Sequence, residues 1–152
     1  MELVRSSEAL LTATDRVVHD HRLSRGGREA LAVLEGAGEP LSPTTIAERL
    51  MVTTASVTSL LDTLERRGLL TRENDPSDRR KLLVTLTDDG RALVDRFLPE
   101  IVALQTAVMA TLTEAQRQQL HRLLTKVHAG VADVDPDIVA QEAPRRGRRR
   151  SG

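Results

Sequence analysis

Between Ser42 and Arg67 two helical patterns follow each other with almost no chain between them. Ser42-Pro43 is a start signal, because serine can cap a helix and proline at the first helical position gives up a backbone donor that has no partner there. Ile46, Ala47 and Leu50 then face inward from a short helix, and only Met51 and Val52 separate it from Thr53, a second capping residue. Two helices joined this closely must turn sharply against each other, which is helix-turn-helix geometry.

The second of these helices has two distinct faces. Val57, Leu60, Leu61 and Leu64 stand at the i, i+3, i+4, i+7 spacing of a buried stripe. Ala55, Ser59, Asp62 and Arg66 then look the other way, with Ser56 and Thr58 beside them. Small and hydroxylated side chains allow a backbone to approach a groove closely while offering donors and acceptors, so this face suits reading a nucleic acid. Gly68 stands where the last turn needs a residue free to take positive φ.

After Gly68 the run LLTRE is strand-like, NDPSD is dense in turn formers, and LLVTL alternates with Leu82, Val84 and Leu86 on one face. A two-stranded ribbon directly after a helix-turn-helix makes a winged helix. Around it lie further helices. Residues 2–22 carry Leu3, Leu10, Leu11, Val17 and Val18 at helical spacing with no Gly or Pro, and read as one amphipathic helix. Ser24 can cap a second helix carrying Leu31, Val33 and Leu34, ended by Gly36 and Gly38. Thr87 caps a long segment through Val94, Phe97, Leu98, Ile101, Leu104, Val108 and Leu112, in which Pro99 predicts a kink. Thr113 and Gln116 form a capping box that opens a last helix ending near Gly130. The fold class is mainly α with a small β-wing.

Composition removes several functions. A chain of 152 residues that is 39% apolar can bury one sizeable core, and with no signal peptide or long apolar run it is expected to be a soluble, cytoplasmic protein. Without cysteine there is no thiolate nucleophile, cysteine zinc site or thiol switch. Phe97 is the only aromatic residue, which leaves nothing to stack on unpaired bases and favours duplex over single strands. The net charge of zero hides a distribution: residues 42–87 hold seven Lys and Arg against six acids, residues 1–41 five against seven, residues 88–142 five against nine, and the last ten residues add five arginines. DNA affinity must therefore come from where the cations are placed. His19 and His21 point apart and His121 and His128 stand about 10 Å apart along a helix, so neither pair alone can hold a metal ion. No nucleophile, carboxylate pair or metal cluster converges as an enzyme would require, and no cofactor is expected.

The run DRRKLLVTLT carries the pattern D-x-R-x-x-x-x-x-L-T in Asp78, Arg80, Leu86 and Thr87, and follows LERRGLLTR. Over roughly residues 5–130, including the order of helices, the chain resembles the multiple-antibiotic-resistance regulator (MarR) family. The resemblance implies a homodimeric winged-helix transcription factor, here a repressor, bound to an inverted-repeat operator and released by a small-molecule effector. It implies one unit over residues 1–132, with dimerisation helices at 1–22 and 88–132 and a DNA-binding lobe at 24–87. Residues 133–152, acidic and then arginine-rich, are expected from their composition to be a disordered tail, which is not a feature of the family. The helix from Thr53 to Arg67 would enter the major groove, the wing would reach the minor groove, and the effector pocket would lie between the dimer region and the DNA-binding lobe. The candidate DNA-contacting set is then Ser42 and Thr44; Thr53, Thr54, Ala55, Ser56, Thr58 and Ser59; and Asp78, Arg79, Arg80 and Lys81 in the wing. With no cysteine, release falls to a small molecule, a metal or pH, and the pocket that the resemblance implies would favour an organic ligand, aromatic or anionic.

Plainer readings stand beside these. The leucine and valine stripes of the terminal helices could be core of a monomer, although so short a chain has little else to cover them. Asp62 would repel phosphate, and its expected partner is Arg66, one turn on. Asp78 is expected to hold Arg80 in an inserting geometry, with Arg79 and Lys81 as backbone contacts. The tail is either a solvated end or a contact to DNA without sequence preference. A winged helix that binds protein instead of DNA would show apolar residues on the exposed face of the Thr53 helix, and that face is polar.

Overall fold

The computed structural model of the chain describes residues 1–78, 80–132 and 134–135. In order the elements are α1 (Glu2–Val17), a single 3-10 turn (His19–His21), α2 (Arg25–Ala37), α3 (Pro43–Leu50), α4 (Thr54–Arg66), β1 (Leu70–Asn74), β2 (Leu82–Leu86), α5 (Asp88–Met109) and α6 (Glu114–Ala132). Residues 1–108 form one compact unit, and residues 109–132 belong to a second. Among the described residues no helix is long and apolar enough to cross a membrane.

In the first unit, α2 packs on α3, α4 and β2, and α4 packs on β1. The core these helices close is aliphatic around one ring: Leu31, Ile46, Val57, Leu61, Val84, Val94 and Phe97 are all buried. Each such side chain contributes on the order of 1.5–3 kcal/mol when taken fully out of water. Leu60, Val33 and Leu50 pack half-buried at the edge.

Local chemistry sets most helix ends. Ser24 Oγ accepts from Gly27 N at 3.1 Å, Ser42 Oγ from Thr45 N at 3.1 Å and Thr53 Oγ1 from Ser56 N at 3.2 Å. Each hydroxyl satisfies a donor that the first turn leaves unpaired. Gly68 takes φ 71° just past α4. Gly38 takes φ 65° after α2, so α2 runs through Gly36 and stops at Ala37. Glycine tolerates that left-handed region at little cost, whereas Met51 between α3 and α4 holds φ 54° with a full side chain.

The expected single helix over residues 2–22 is not observed. α1 stops at Val17, Val18 turns its buried side chain into the core, and Arg22 takes φ 52°. No breaker residue causes this. His21 Nε2 lies 3.0 Å from Glu100 Oε2 on α5 and its ring centre 6.0 Å from that of Phe97, contacts a straight helix would not allow.

The two strands pair antiparallel from Leu70 opposite Leu86 to Asn74 opposite Leu82. Val84 also exchanges backbone hydrogen bonds with Leu41 at 2.8 and 3.1 Å, which fastens the ribbon base to the α2–α3 connection. At the start of α5, Thr87 Oγ1 accepts from Gly90 N at 3.0 Å and donates to Gly68 O at 2.6 Å. A Cβ on Gly90 would stand 2.0 Å from Leu69 O, so only glycine fits where α5 crosses the foot of the wing. α5 continues through Pro99 to Met109.

In the second unit, Thr113 and Gln116 complete the reciprocal capping box: Thr113 N donates to Gln116 Oε1 at 2.8 Å and Gln116 N to Thr113 Oγ1 at 3.3 Å. Arg117 closes the turn before α6 by donating to the carbonyls of Met109 and Leu112.

Candidate nucleic-acid interface

α4 presents its first turn to solvent. Thr53, Thr54, Ala55, Ser56, Thr58 and Ser59 are all exposed, while Val57, Leu61 and Leu64 anchor the opposite face. The hydroxyls are already organised. Thr53 Oγ1 and Ser56 Oγ lie 2.9 Å apart, and Thr58 Oγ1 donates to Thr54 O at 3.0 Å, which leaves the Thr58 lone pairs free to accept. At the start of α3, Ser42 is half-buried and its hydroxyl is shared with Thr45 at 2.9 Å, whereas Thr44 is exposed.

The wing tip is braced by backbone bonds: Asp75 N to Lys81 O at 2.9 Å, Lys81 N to Asp78 O at 2.8 Å and Asp78 N to Asp75 O at 3.2 Å. Asp75 Oδ1 accepts from Ser77 Oγ at 2.6 Å and Ser77 N at 2.7 Å, and the Ser77 hydroxyl and amide hold the Asp75 carboxyl below its ordinary value. Asp78 and Arg80 are brought together as expected: Asp78 Oδ1 accepts from both Arg80 Nε and Arg80 N at 3.2 Å. The Arg80 side chain is 91% exposed and its carboxylate partner 27%, so the fork projects from a fixed root. Lys81 is exposed beside it. Arg79 and the tail, residues 143–152, lie outside the described residues.

Asp62 is not paired with Arg66. Its Oδ1 lies 2.6 Å from Arg72 Nη2 in β1, and Arg66 donates instead to Thr63 Oγ1 at 3.2 Å. The cause is distance along the chain: an i, i+4 pair on an exposed face is worth only about 0.2–0.5 kcal/mol, and a guanidinium arriving from the wing displaces it. Sequence reading also missed Arg28, a charged side chain only 5% exposed, which donates to Asp15 of α1 and at 3.3 Å to Leu23 O. Arg25 Nη2 reaches the second Asp15 oxygen at 2.7 Å. These two arginines, Arg25 first, hold the Asp15 carboxyl below its ordinary range. No spacing rule finds this fork, because its members come from two helices.

Next to that fork is a cavity of about 270 Å³ within the first unit, between α1, α2 and α5. Leu10, Leu11, Ala32, Leu98, Ile101 and Val102 form its apolar walls, and Thr14, Arg25, Arg28, Glu29 and Gln105 supply polar atoms. Apolar walls with a few convergent polar groups are the usual make-up of a small-molecule site. Among the described residues no three His, Asp or Glu side chains converge as a metal site would need.

Residues 29–81 match the model of the MarR family. The HTH-type transcriptional regulator PecS of Dickeya dadantii (strain 3937) is 35% identical over 127 residues, covering 82% of this chain and 76% of that protein. Among solved structures, Bordetella bronchiseptica BpsR, whose DNA binding is regulated by 6-hydroxynicotinic acid, aligns with a TM-score of 0.74 at 30% identity, covering 88% of this chain and 91% of that one. The S. aureus MepR–DNA complex aligns with a TM-score of 0.76 at 26% identity, covering 85% of this chain and 96% of that one.

Proposed function

Because the chain belongs to the MarR family of winged helix-turn-helix transcriptional regulators, we propose that it is a homodimeric repressor that binds an inverted-repeat operator and leaves it when a small organic anion occupies the cavity between α1, α2 and α5. The observation that carries this is the first turn of α4, where exposed, prearranged hydroxyls sit on a helix whose other face is locked into the core. Thr53, Thr54, Ala55, Ser56, Thr58 and Ser59 meet base edges in the major groove, and Ser42 and Thr44 at the start of α3 meet the backbone. Arg80, rooted by Asp78, enters the minor groove, with Arg79 and Lys81 on phosphates.

Dimerisation is supported by apolar surface with nothing over it: Leu3 and Val4 on α1, Val102 on α5, and Leu123, Leu124 and Val127 on α6 are exposed. A twofold dimer would bury such surface and place two α4 helices about one helical turn of DNA apart. Repression is then steric, since a protein seated in those grooves excludes others. For the effector, the cavity has apolar walls with Arg25 and Arg28 in its lining, and an organic carboxylate entering there would compete with Asp15 for these two guanidiniums. In BpsR, 6-hydroxynicotinic acid regulates DNA binding, which fits that class of ligand.

Selection of bound duplexes from a random pool tests the central claim. Enrichment of a palindrome is expected. A pool without any enriched sequence, or a monomeric mass by light scattering at micromolar concentration, would refute it. The protein-docking alternative has no support on α4, whose exposed residues include no large apolar side chain; Met51 and Val52 are exposed in the turn before it.

A further inference from the structure

One side chain ties the wing to the helix it follows. Arg72 in β1 donates from Nε to Glu65 Oε2 at 3.0 Å, and its Nη2 reaches both Glu65 Oε2 and, at 2.6 Å, Asp62 Oδ1. Both acids are on α4, and the Arg72 side chain is only 20% exposed. Among the described residues no other side-chain hydrogen bond or ion pair joins α4 to the wing strands. On the opposite edge the ribbon is held by the backbone bridge between Leu41 and Val84, the strand partner of Arg72, and by the buried side chains of Leu41, Val84 and Leu86.

We propose that Arg72 is a positioning residue for DNA recognition: by bridging Asp62 and Glu65 it sets the angle between α4 and the wing, so that the first turn of α4 and Arg80 reach one duplex in register. This goes beyond the function proposed above and rests on it only for the identity of the partner.

Three physical points support the assignment. The first is leverage. The wing turn begins three residues beyond Arg72, about 10 Å at roughly 3.3 Å per residue, so a rotation of roughly 10° there displaces the tip by about 2 Å, more than a recognition geometry tolerates. The second is charge. Asp62 and Glu65 stand one turn apart on a helix that approaches phosphates, and Arg72 cancels one of those two negative charges. Its hydrogen bonds hold the Glu65 carboxyl below its ordinary range, as expected of a carboxylate bound by a guanidinium. The third is shape. A planar fork can address two carboxylates from one fixed orientation, whereas an ammonium is a point charge on a flexible stem. Arg72→Lys therefore separates angle from charge.

The chain has no cysteine of its own, so nitroxide labels on Ser59→Cys and Lys81→Cys report the α4–wing distance in the full free protein. Arg72→Lys is expected to broaden that distance distribution. On DNA it is expected to weaken binding to the selected operator about tenfold while binding to a scrambled duplex of equal length stays within about twofold, because the charge is kept. Arg72→Met, which removes the charge as well, is expected to weaken both. An unchanged distance distribution overturns the proposal without reference to DNA, so it remains decidable even if the wild-type chain selects no operator, a result that would count against the proposed function instead. Equal losses on operator and scrambled duplex for Arg72→Lys overturn it too, as does a fall in its melting temperature with the operator-to-scrambled ratio unchanged.

Discussion

α4 and α6 are both amphipathic helices with threonine caps, yet they spend their apolar residues differently. α4 is 13 residues long and buries Val57, Leu61 and Leu64 within its own unit. α6 is 19 residues long, and among its described side chains none is buried. A stripe that is already covered fixes the orientation of the opposite face, which is what a reading helix needs. A stripe that is uncovered is the surface that the proposed dimer would use. The same periodicity in the sequence thus meets two environments, one covered and one open, and the sequence alone does not tell them apart.

The largest expected effect breaks this contrast directly. We predict that Leu61→Ala destabilises the folded chain by about 2–5 kcal/mol, through lost contacts and the cavity left behind. Val127→Asp, on exposed α6, should leave the melting of the first unit nearly unchanged but convert the proposed dimer to monomer in sedimentation and abolish operator binding. Similar losses of folding stability from both substitutions would mean that α6 is covered within one chain and the contrast is wrong.

Next in size is the wing. Arg80→Ala is predicted to cost on the order of 1–3 kcal/mol in operator binding, as for other direct arginine contacts. Asp78→Ala should also weaken binding although it removes a negative charge, because Asp78 Oδ1 holds both the Nε and the backbone N–H of Arg80. A purely electrostatic wing predicts the opposite sign. Titration of both variants against one operator at fixed salt distinguishes them, and tighter binding by Asp78→Ala with unchanged melting would show that the carboxylate does not position the arginine.

These cases also show what was legible beforehand. Ser42-Pro43, Thr53, Gly68, Thr87 and the Thr113–Gln116 box were readable because each acts within four residues or so of itself, and the wing because its strands are joined by one polar turn. What escaped depends on partners far along the chain. α1 ends where Val18 and His21 meet the core and α5, Asp62 answers to Arg72 instead of Arg66, Arg28 is buried against Asp15, and Gly90 is required by a carbonyl of Leu69. In the site, the hydroxyls of α4 followed from helical spacing, whereas the Asp15–Arg25–Arg28 fork beside the cavity did not.

A smaller effect concerns acid. Asp15 in the first unit and Glu114 in the second both have carboxyls lowered from their ordinary values of 3.8 and 4.5, Asp15 by Arg25 and then Arg28, Glu114 by Arg117 and then Gln118. A lowered folded value means the stabilisation is fully present above the ordinary value and is lost as pH falls through the folded one. Asp15→Asn is therefore predicted to melt below wild type at neutral pH, with the gap closing as pH drops below about 3.8. Glu114→Gln should show the same closure from about 4.5 downward. A gap independent of pH in thermal melts from pH 3 to 7 would mean that packing, not charge, is what each substitution removes.

The smallest expected effect, and the sharpest for the comparison, is at the two threonine caps. Thr53 and Thr113 each accept a hydrogen bond from the backbone N–H three residues on, at 3.2 and 3.3 Å. Replacing such a cap with alanine costs typically about 1 kcal/mol, whereas glycine costs only a few tenths, because it exposes the same donor to water. Thr113→Gly and Thr53→Gly should thus be nearly silent in folding stability. If α6 serves assembly alone, Thr113→Gly is silent on DNA as well. If the first turn of α4 reads bases, Thr53→Gly weakens operator binding with the melting temperature almost unchanged, and Thr53→Ser, which keeps the hydroxyl, restores it. Equal operator affinity for wild type, Thr53→Gly and Thr53→Ser would reduce Thr53 to a cap and leave Thr54, Ser56, Thr58 and Ser59 to carry the reading of the groove.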